Sequence, residues 1–350
     1  MAALPGGVAS GVGSMPGQNP AESASIIVGE LGFGHVAELP ARGPGADMVG
    51  RAAAFLVDIS LDLVGDDYHL TSAHSSITQR AKGFLSADLD ALEEAWHRAG
   101  LIGSGQPCKI AVCGPFTLAG TAALRGGHKL VHDRGAWADV LGSLAEGLAR
   151  AATDLERRLG CTAVVQLDEP LVDRVIAGQI APLTRLDVNP PIPAPDVASA
   201  LGELVNHVGR PAILHYCGGR LPWELLHHNI FDAISLDFSQ ITERDWDELA
   251  QFLDGGRTLA AGLVPGLPQH RPASGLAVSQ RPASGLPVEQ IIAPLVQTID
   301  RIGLRRDVLA NQVIVTPTCG LAGSDPAWAS HALRLASAAA EAFADDPAAV

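Results

Sequence analysis

The feature that most constrains the fold of this chain is a series of eight short apolar runs, each of which ends in Gly, Pro or polar residues. Runs of this length that are rich in Val, Ile and Ala predict buried β-strands. They occupy residues 7–14, 34–39, 109–114, 163–168, 212–217, 232–238, 258–264 and 312–319. These runs provide enough strand for one closed barrel or for one large open sheet.

Longer segments with the period of an amphipathic helix separate the runs. Asp325 followed by Pro326 predicts a helix start, because Asp caps a helix and Pro suits its first position. The predicted helices cover 20–31, 88–99, 135–159, 194–208, 243–253, 287–303 and 326–343. This alternation favours an α/β fold, a single (β/α)8 TIM barrel over residues 1–350, with the active groups at the carboxyl ends of the strands. A doubly wound open sheet is the alternative.

Two segments depart from the repeating strand and helix unit. Residues 42–107 are expected to be helical decoration within the same domain. The segment RPASGLAVSQ at 271–280 is followed by RPASGLPVEQ at 281–290, with eight of ten positions identical. Because two copies cannot stack into a core, this duplication predicts a lengthened loop after the seventh strand and not a repeat architecture.

Composition and charge exclude several classes of partner. The net charge is −14, and no cluster of Lys and Arg could follow a phosphate backbone or an anionic membrane. We therefore expect no nucleic-acid partner and no membrane. The first residues lack a basic segment and no run approaches about 18 uninterrupted apolar residues, so a cytoplasmic location is expected.

The cysteines are five in number and scattered, in a chain too long to need disulfides for stability. Each is expected to be a reduced thiol that either fills the core or binds a metal. Cys108 and Cys113 flank one strand and predict core packing, and Cys161 precedes the next strand. His227 and His228 lie in a polar loop and are expected to face solvent.

Residues that commonly bind metals lie near the ends of three predicted strands. His215 and Cys217 are two positions apart in the fifth run, so their side chains project to the same side. Asp237 lies in the otherwise apolar sixth run, where an inward carboxylate is costly unless it is paired or metal-bound. Cys319 ends the eighth run. Together they suit Zn²⁺; the alternative is a hydrogen-bonded core His beside a small buried Cys.

Five motifs resemble those of the catalytic domain of cobalamin-independent methionine synthase. In chain order they are GVGSMPG, VVQLDEP, ILHYCGG, AISLDFS and VTPTCGL. The resemblance extends from residue 7 to about residue 340 and implies a (β/α)8 barrel. It is to the short, single-barrel members, and it implies a methyl donor that is either methyltetrahydrofolate or a methylated corrinoid protein.

The resemblance also implies the metal ligands and the reaction. Zn²⁺ would be held by His215, Cys217, Asp237 and Cys319, with Asp237 in place of the Glu that is usual in the family. A free thiol with its ordinary pKa of about 8.5 is a poor nucleophile at neutral pH, and coordination to Zn²⁺ removes its proton. The implied reaction is the S-methylation of homocysteine to methionine.

Recognition of the amino acid is implied by two further motifs. The turn Val12, Gly13 and Ser14 would hold the carboxylate of homocysteine, and Asp168 would face its ammonium group. From the residues alone, Asp168 and its neighbour Glu169 could equally be solvated acids at a strand exit, and Gly13-Ser14 a simple turn.

The sequence departs from the family pattern at three places. A second family acid lies just upstream of a motif like Asp47-Met48-Val49; here Arg42 is near the expected position, and Glu38 is the candidate substitute. The aromatic residue that follows Gly-Pro-x-Thr in folate-using members is replaced by Thr121. The family's proton-donating His has Leu267 near its position, which leaves His270 as the candidate.

Three alternatives stay open at this point. The chain could be a corrinoid-dependent methyltransferase for another thiol, although the Asp-Glu-Pro motif favours an amino-acid acceptor. It could be a uroporphyrinogen decarboxylase-like barrel, which would leave the His and Cys residues unexplained. It could also be a zinc-binding or thiol-binding relative that has lost turnover.

Overall fold

A computed structural model of the chain describes residues 4–72, 74–219, 221–268 and 287–350. The strands are β1 (Val8–Ala9), β2 (Gly34–His35), β3 (Ser60–Val64), β4 (Asp67–Thr71), β5 (Pro107–Cys113), β6 (Thr162–Asp168), β7 (Ala212–Tyr216), β8 (Ala233–Asp237), β9 (Thr258–Val264) and β10 (Val313–Pro317). The α-helices are α1 (Pro20–Glu30), α2 (Met48–Ala52), α3 (Ser76–Arg98), α4 (Pro115–Thr121), α5 (Arg134–Leu159), α6 (Val172–Ile176), α7 (Ala194–Val208), α8 (Trp223–Leu226), α9 (Trp246–Asp254), α10 (Val288–Arg301), α11 (Asp307–Gln312) and α12 (Pro326–Asp345).

Eight parallel strands form one curled sheet in the order β1-β10-β9-β8-β7-β6-β5-β2. Its two edges meet just beyond the short strands β1 and β2. There the Met15 amide donates to the Glu38 carbonyl at 2.8 Å, and the Glu38 amide donates to the Gly13 carbonyl at 3.1 Å. These bonds join the edges, so the predicted (β/α)8 barrel is confirmed and the open-sheet alternative is wrong.

The eight predicted strands and the seven predicted helices are all present, with differences at their ends. Helix α12 begins as predicted, since the Asp325 carboxylate accepts from the Trp328 amide at 2.7 Å. Helix α3 begins well before the predicted residue 88. The missed signal is Ser75, whose hydroxyl accepts from the amides of Ile77 and Thr78 and caps the helix.

The prediction that residues 42–107 are helical decoration is wrong in part. β3 and β4 form an antiparallel hairpin in which Ser60 pairs with Thr71 and Val64 with Asp67. Gly65 has φ of +64° in the turn between them. The alternation of apolar and polar residues around a tight turn that contains Gly is the usual signal of a hairpin.

The barrel interior changes from apolar to polar along the strands. Its amino-terminal end is filled by an apolar cluster made of Leu4, Phe33, Val164, Ile213, Ala233, Ala260 and Ile314. Two residues further along the same strands, on the same face, lie the buried polar side chains His35, Gln166, His215, Ser235 and Thr316. Two residues further again, three of these strands reach Asp168, Cys217 and Asp237. The polar groups are thus delivered to the carboxyl-terminal mouth of the barrel.

The remaining apolar residues pack between the sheet and the surrounding helices. Cys108 and Cys113 are buried, as predicted. His227 and His228 are exposed, also as predicted. None of the described helices has the length and apolar composition needed to cross a membrane.

Candidate metal centre

Three of the four predicted metal ligands converge at the barrel mouth. One ligand atom each from His215, Cys217 and Cys319 lies within 4.8 Å of the other two. His215 is in β7, Cys217 follows that strand directly, and Cys319 follows β10. Because β8 and β9 separate β7 from β10, the group spans the mouth. Among the described ranges it is the one group of three or more His, Cys, Asp or Glu with this spacing.

The imidazole of His215 is held from below. The side chain is buried, and its Nδ1 is hydrogen-bonded to the hydroxyl of Ser235 on β8 at 3.0 Å. This hydrogen bond to Nδ1 fixes the ring and leaves Nε2 available to the thiols. The same arrangement is usual around a metal-bound His.

The two thiols are exposed at the mouth and interact with each other. Hydrogen bonds with Cys217 and His215 lower the pKa of the Cys319 thiol to about 4. The same hydrogen bond with Cys319 raises the pKa of Cys217 far above its ordinary value. The pair therefore favours a thiolate on Cys319 next to the imidazole, and a thiolate is the form that binds metals.

Glycines allow both cysteines to sit where they do. A Cβ on Gly218 would lie 2.5 Å from the Pro170 carbonyl oxygen and 2.6 Å from the Tyr216 hydroxyl. A Cβ on Gly320 would lie 2.0 Å from the hydroxyl oxygen of Ser14. Neither position has room for a side chain, so the Gly that follows each Cys is a requirement of packing.

The fourth predicted ligand, Asp237, is near the group but not in it. Its Oδ1 accepts hydrogen bonds from the amide of Ser239 at 2.9 Å and from the hydroxyl of Ser239 at 2.7 Å. Asp237 and Cys319 line one open pocket of about 820 Å³ between the ends of β8, β9 and β10. Ligation by Asp237 stays a prediction.

The donor set fits zinc. One imidazole nitrogen and two sulfurs are ligands that Zn²⁺ prefers, and three protein ligands with an open fourth position are typical of catalytic zinc. The buried base of the site and its exposed sulfurs would leave that position facing the mouth, where a substrate can enter.

Residues 8–342 match the family model described as cobalamin-independent synthase, catalytic domain. The chain belongs to this family. Membership makes it a methyltransferase and favours that class over a decarboxylase-like barrel. No curated protein sequence matches the chain.

Solved structures similar to this cobalamin-independent synthase support the fold. A B12-independent methionine synthase from Shewanella sp. W3-18-1, in complex with selenomethionine, is 15% identical over 100% of both chains, with a TM-score of 0.56. A methyltransferase from Methanosarcina mazei is 13% identical over 98% of this chain and 95% of that one, also with a TM-score of 0.56.

Beside the candidate metal centre, two buried carboxylates lie next to the turn at Gly13. A Cβ on Gly13 would be only 3.3 Å from Oε1 of Glu38, so the turn and this acid are in close contact. Burial raises the pKa of Glu38 to about 7; the charge of Arg51 opposes this rise and that of Asp168 adds to it. Burial raises the pKa of Asp168 as well. Because the charge of Asp168 disfavours that of Glu38, a cation between the two carboxylates would be attracted to this site.

Arg42 does not lie where the second family acid was expected to be. Its Nη2 donates to the Asp88 carboxylate at 2.8 Å, on helix α3. Arg51 lies between that carboxylate and Glu38, with nitrogen to oxygen distances of 3.6 Å and 3.8 Å. Of these two candidates, Glu38 is therefore the one in contact with the turn at Gly13, and Arg42 is engaged by Asp88. No local pattern in the sequence marks Arg51 or Asp88, because their pairing depends on how α2 packs on α3.

The interpretation of Asp168 and Glu169 as solvated acids is wrong, since both are buried. Glu169 accepts from the amides of Phe116 and Thr117 at 2.9 Å and 2.7 Å and from the Thr117 hydroxyl at 2.6 Å. It therefore caps helix α4. Thr121 ends that helix with its hydroxyl bonded to the Thr117 carbonyl at 2.8 Å.

Some predictions fall on residues that the structure does not describe. His270, the candidate proton donor, and most of the duplicated segment, 271–286, lie outside the described residues. The last three residues of the duplication, 288–290, belong to helix α10, as the predicted helix over 287–303 requires.

Proposed function

We propose that this cobalamin-independent synthase methylates the thiol of homocysteine to give methionine at the centre formed by His215, Cys217 and Cys319. The observation that carries the proposal is the approach of their three ligand atoms to within 4.8 Å at the barrel mouth. The paired carboxylates beside this centre support an acceptor that also carries an ammonium group.

In this proposal the three residues would hold Zn²⁺, and Asp237, which lines the same pocket as Cys319, would supply an additional oxygen ligand. Bound Zn²⁺ would remove the proton from a coordinated thiol and keep the sulfur nucleophilic at neutral pH. Ser235 keeps the imidazole of His215 in place throughout.

The protein's own groups orient the amino acid. Val12, Gly13 and Ser14 hold its carboxylate through backbone and hydroxyl groups, and Asp168 with Glu38 holds its ammonium group. This fixes the position of the sulfur relative to the metal centre. A lone pair on sulfur then forms the new bond to the methyl carbon, while the bond from that carbon to the donor breaks and its electrons stay with the donor.

The donor is either methyltetrahydrofolate or a methylated corrinoid, and an assay with each separates them. Purified protein under reducing conditions should contain about one Zn²⁺ per chain. Cys217→Ser and Cys319→Ser should lose the metal and the activity. Cys161→Ser, at the opposite end of the strands, should keep both.

Each outcome of this assay has a clear meaning. Methionine formed from one donor supports the proposal and identifies that donor. Protein that binds zinc and homocysteine but forms methionine from neither donor is a non-catalytic relative. Methylation of a thiol that lacks the amino-acid groups, in preference to homocysteine, would assign a different acceptor.

A further inference from the structure

A lysine is buried inside the barrel, next to the turn formed by Val12, Gly13 and Ser14. Lys109, on β5, is 2% exposed. Its ammonium group donates to the Gly11 carbonyl at 2.6 Å, to the Val12 carbonyl at 3.0 Å and to Oε1 of Gln166. A lysine ammonium has three donors, and all three are therefore used.

Gln166 continues this network to the other side of the site. It is completely buried on β6, and its amide nitrogen donates to the Val12 carbonyl at 2.9 Å and to Oδ1 of Asp168 at 2.7 Å. The same amide thus binds both the turn and the carboxylate that faces the ammonium site. Lys109 and Gln166 share the Val12 carbonyl and contact each other, so the turn and Asp168 form one hydrogen-bonded unit.

The turn needs such support because the β1 ladder ends just before it. β1 pairs with β10 only at Val8 and Ala9, and the Ser10 amide adds a bond to the Val315 carbonyl at 3.0 Å. Beyond this point the chain leaves β10 and crosses toward Glu38. Lys109 and Gln166 bind the carbonyls in that crossing, directly before Gly13.

A charged group is a costly choice for this position. Burial lowers the pKa of Lys109 to about 8, and the negative charges of Asp168 and Glu38 oppose this effect. An apolar side chain of the same length could fill the volume without that cost. What an apolar side chain cannot do is hold two adjacent carbonyls and an amide in one fixed arrangement.

We propose that Lys109 and Gln166 are positioning residues that make the synthase selective for an acceptor with an α-carboxylate and an α-ammonium group. Lys109 sets the turn that receives the carboxylate, and Gln166 joins that turn to Asp168, which receives the ammonium. This inference rests on the proposed function, because it assigns those two groups to the homocysteine site.

Lys109→Met tests the inference, because the methionine side chain is unbranched, only one atom shorter, and has no donors. The probes are methionine and 3-(methylthio)propylamine, which is methionine without its carboxylate. We expect the Kd for methionine to rise about tenfold or more, the Kd for the amine to change less than about threefold, and the zinc content to stay the same. In turnover, KM for homocysteine should rise while kcat stays within about threefold. Lys82→Met, at an exposed position on α3, is the matched control.

Gln166→Met keeps the two bonds from Lys109 to the turn and so provides a second test if Lys109→Met does not fold. Here both probes should bind more weakly, because Asp168 loses its partner as well. Equal weakening of both probes in Lys109→Met, or unchanged binding of both probes in a folded Gln166→Met, would overturn the inference. Failure of the proposed function looks different, since the wild-type protein would then lack zinc or fail to methylate homocysteine.

Discussion

Gly320 packs directly against Ser14, so the loop that carries Cys319 and the turn at the substrate site are in contact. A Cβ on Gly320 would be 2.0 Å from the Ser14 hydroxyl oxygen, and the Leu321 amide donates to the Ser14 carbonyl at 2.8 Å. The two segments come from opposite ends of the chain and meet because β1 and β10 are neighbours in the sheet. The candidate metal centre and the proposed carboxylate site are therefore in direct contact.

The first prediction follows from this contact. In Gly320→Ala, the added methyl group must displace Ser14 or the loop with Cys319, so we expect zinc affinity and methionine affinity to fall together, each by about tenfold or more. Chelator competition measures the zinc affinity, and calorimetry measures the methionine affinity. Gly323→Ala is the matched control, because its Cβ would meet Leu267 at an ordinary 3.5 Å. A change in only one of the two affinities would show that the loop with Cys319 and the turn at Ser14 are not coupled.

The second prediction concerns the support of His215. Ser235→Ala removes the hydrogen bond to Nδ1 and should lower zinc affinity by about 10-fold to 100-fold without unfolding the protein. Chelator competition measures the affinity, and circular dichroism confirms the fold. Ser23→Ala, a buried serine on α1, should have no effect on zinc. Wild-type affinity in Ser235→Ala would mean that the ring is held by its packing alone.

The third prediction is a pH dependence of ligand binding. The pKa of Glu38 is raised to about 7, chiefly by burial, so Glu38 gains its charge as pH rises through that value. Only the ionised form attracts an ammonium group, and the Kd for methionine should therefore fall between about pH 6 and about pH 8. Methionine is the suitable ligand because its thioether does not titrate. Calorimetry over this range measures the effect.

Glu38→Gln provides the comparison for that measurement. It should bind methionine more weakly and lose the gain in affinity between about pH 6 and about pH 7, a range that lies below the pKa of about 8 of Lys109. Glu94→Gln, at an exposed site on α3, should keep the wild-type profile. If Glu38→Gln keeps the pH dependence, a different group is responsible for it.

The fourth prediction separates stability from the metal centre. Glu169 accepts three hydrogen bonds from the first turn of α4 while completely buried, and buried donors left without their partner destabilise a fold by about 1–3 kcal/mol. Glu169→Ala should lower the free energy of unfolding by about 3 kcal/mol, as measured by urea denaturation. Glu289→Ala, exposed in the first turn of α10, should cost less than about 0.5 kcal/mol. An effect of Glu169→Ala below about 1 kcal/mol would mean that α4 does not depend on this cap.

The sequence predicted the elements and ligands that depend on local patterns. Apolar runs that alternate with helical segments predicted the barrel, and the two-residue spacing of His215 and Cys217 predicted that both face its axis. The position of Cys319 after the last strand was predicted in the same way. These features could be predicted because the alternation of side chains along a strand and the closure of the barrel determine where each residue lies.

Features that depend on competition between partners could not be predicted. Asp237 was expected among the metal ligands, but its carboxylate bonds to Ser239, two residues later, which offers it an amide and a hydroxyl. Lys109 stands at the start of an apolar run, where a lysine usually reaches solvent. Its burial depends on the carbonyls of Gly11 and Val12, which are distant in the sequence. Such choices are made by tertiary contacts that the local sequence does not encode.

X-ray absorption at the zinc edge, recorded before and after homocysteine is added to the purified protein, tests the central claim most directly. We predict zinc bound by two sulfurs, those of Cys217 and Cys319, together with the nitrogen of His215, and a third sulfur after homocysteine is added. Protein without zinc, or a sulfur count that stays the same when homocysteine binds, would contradict it.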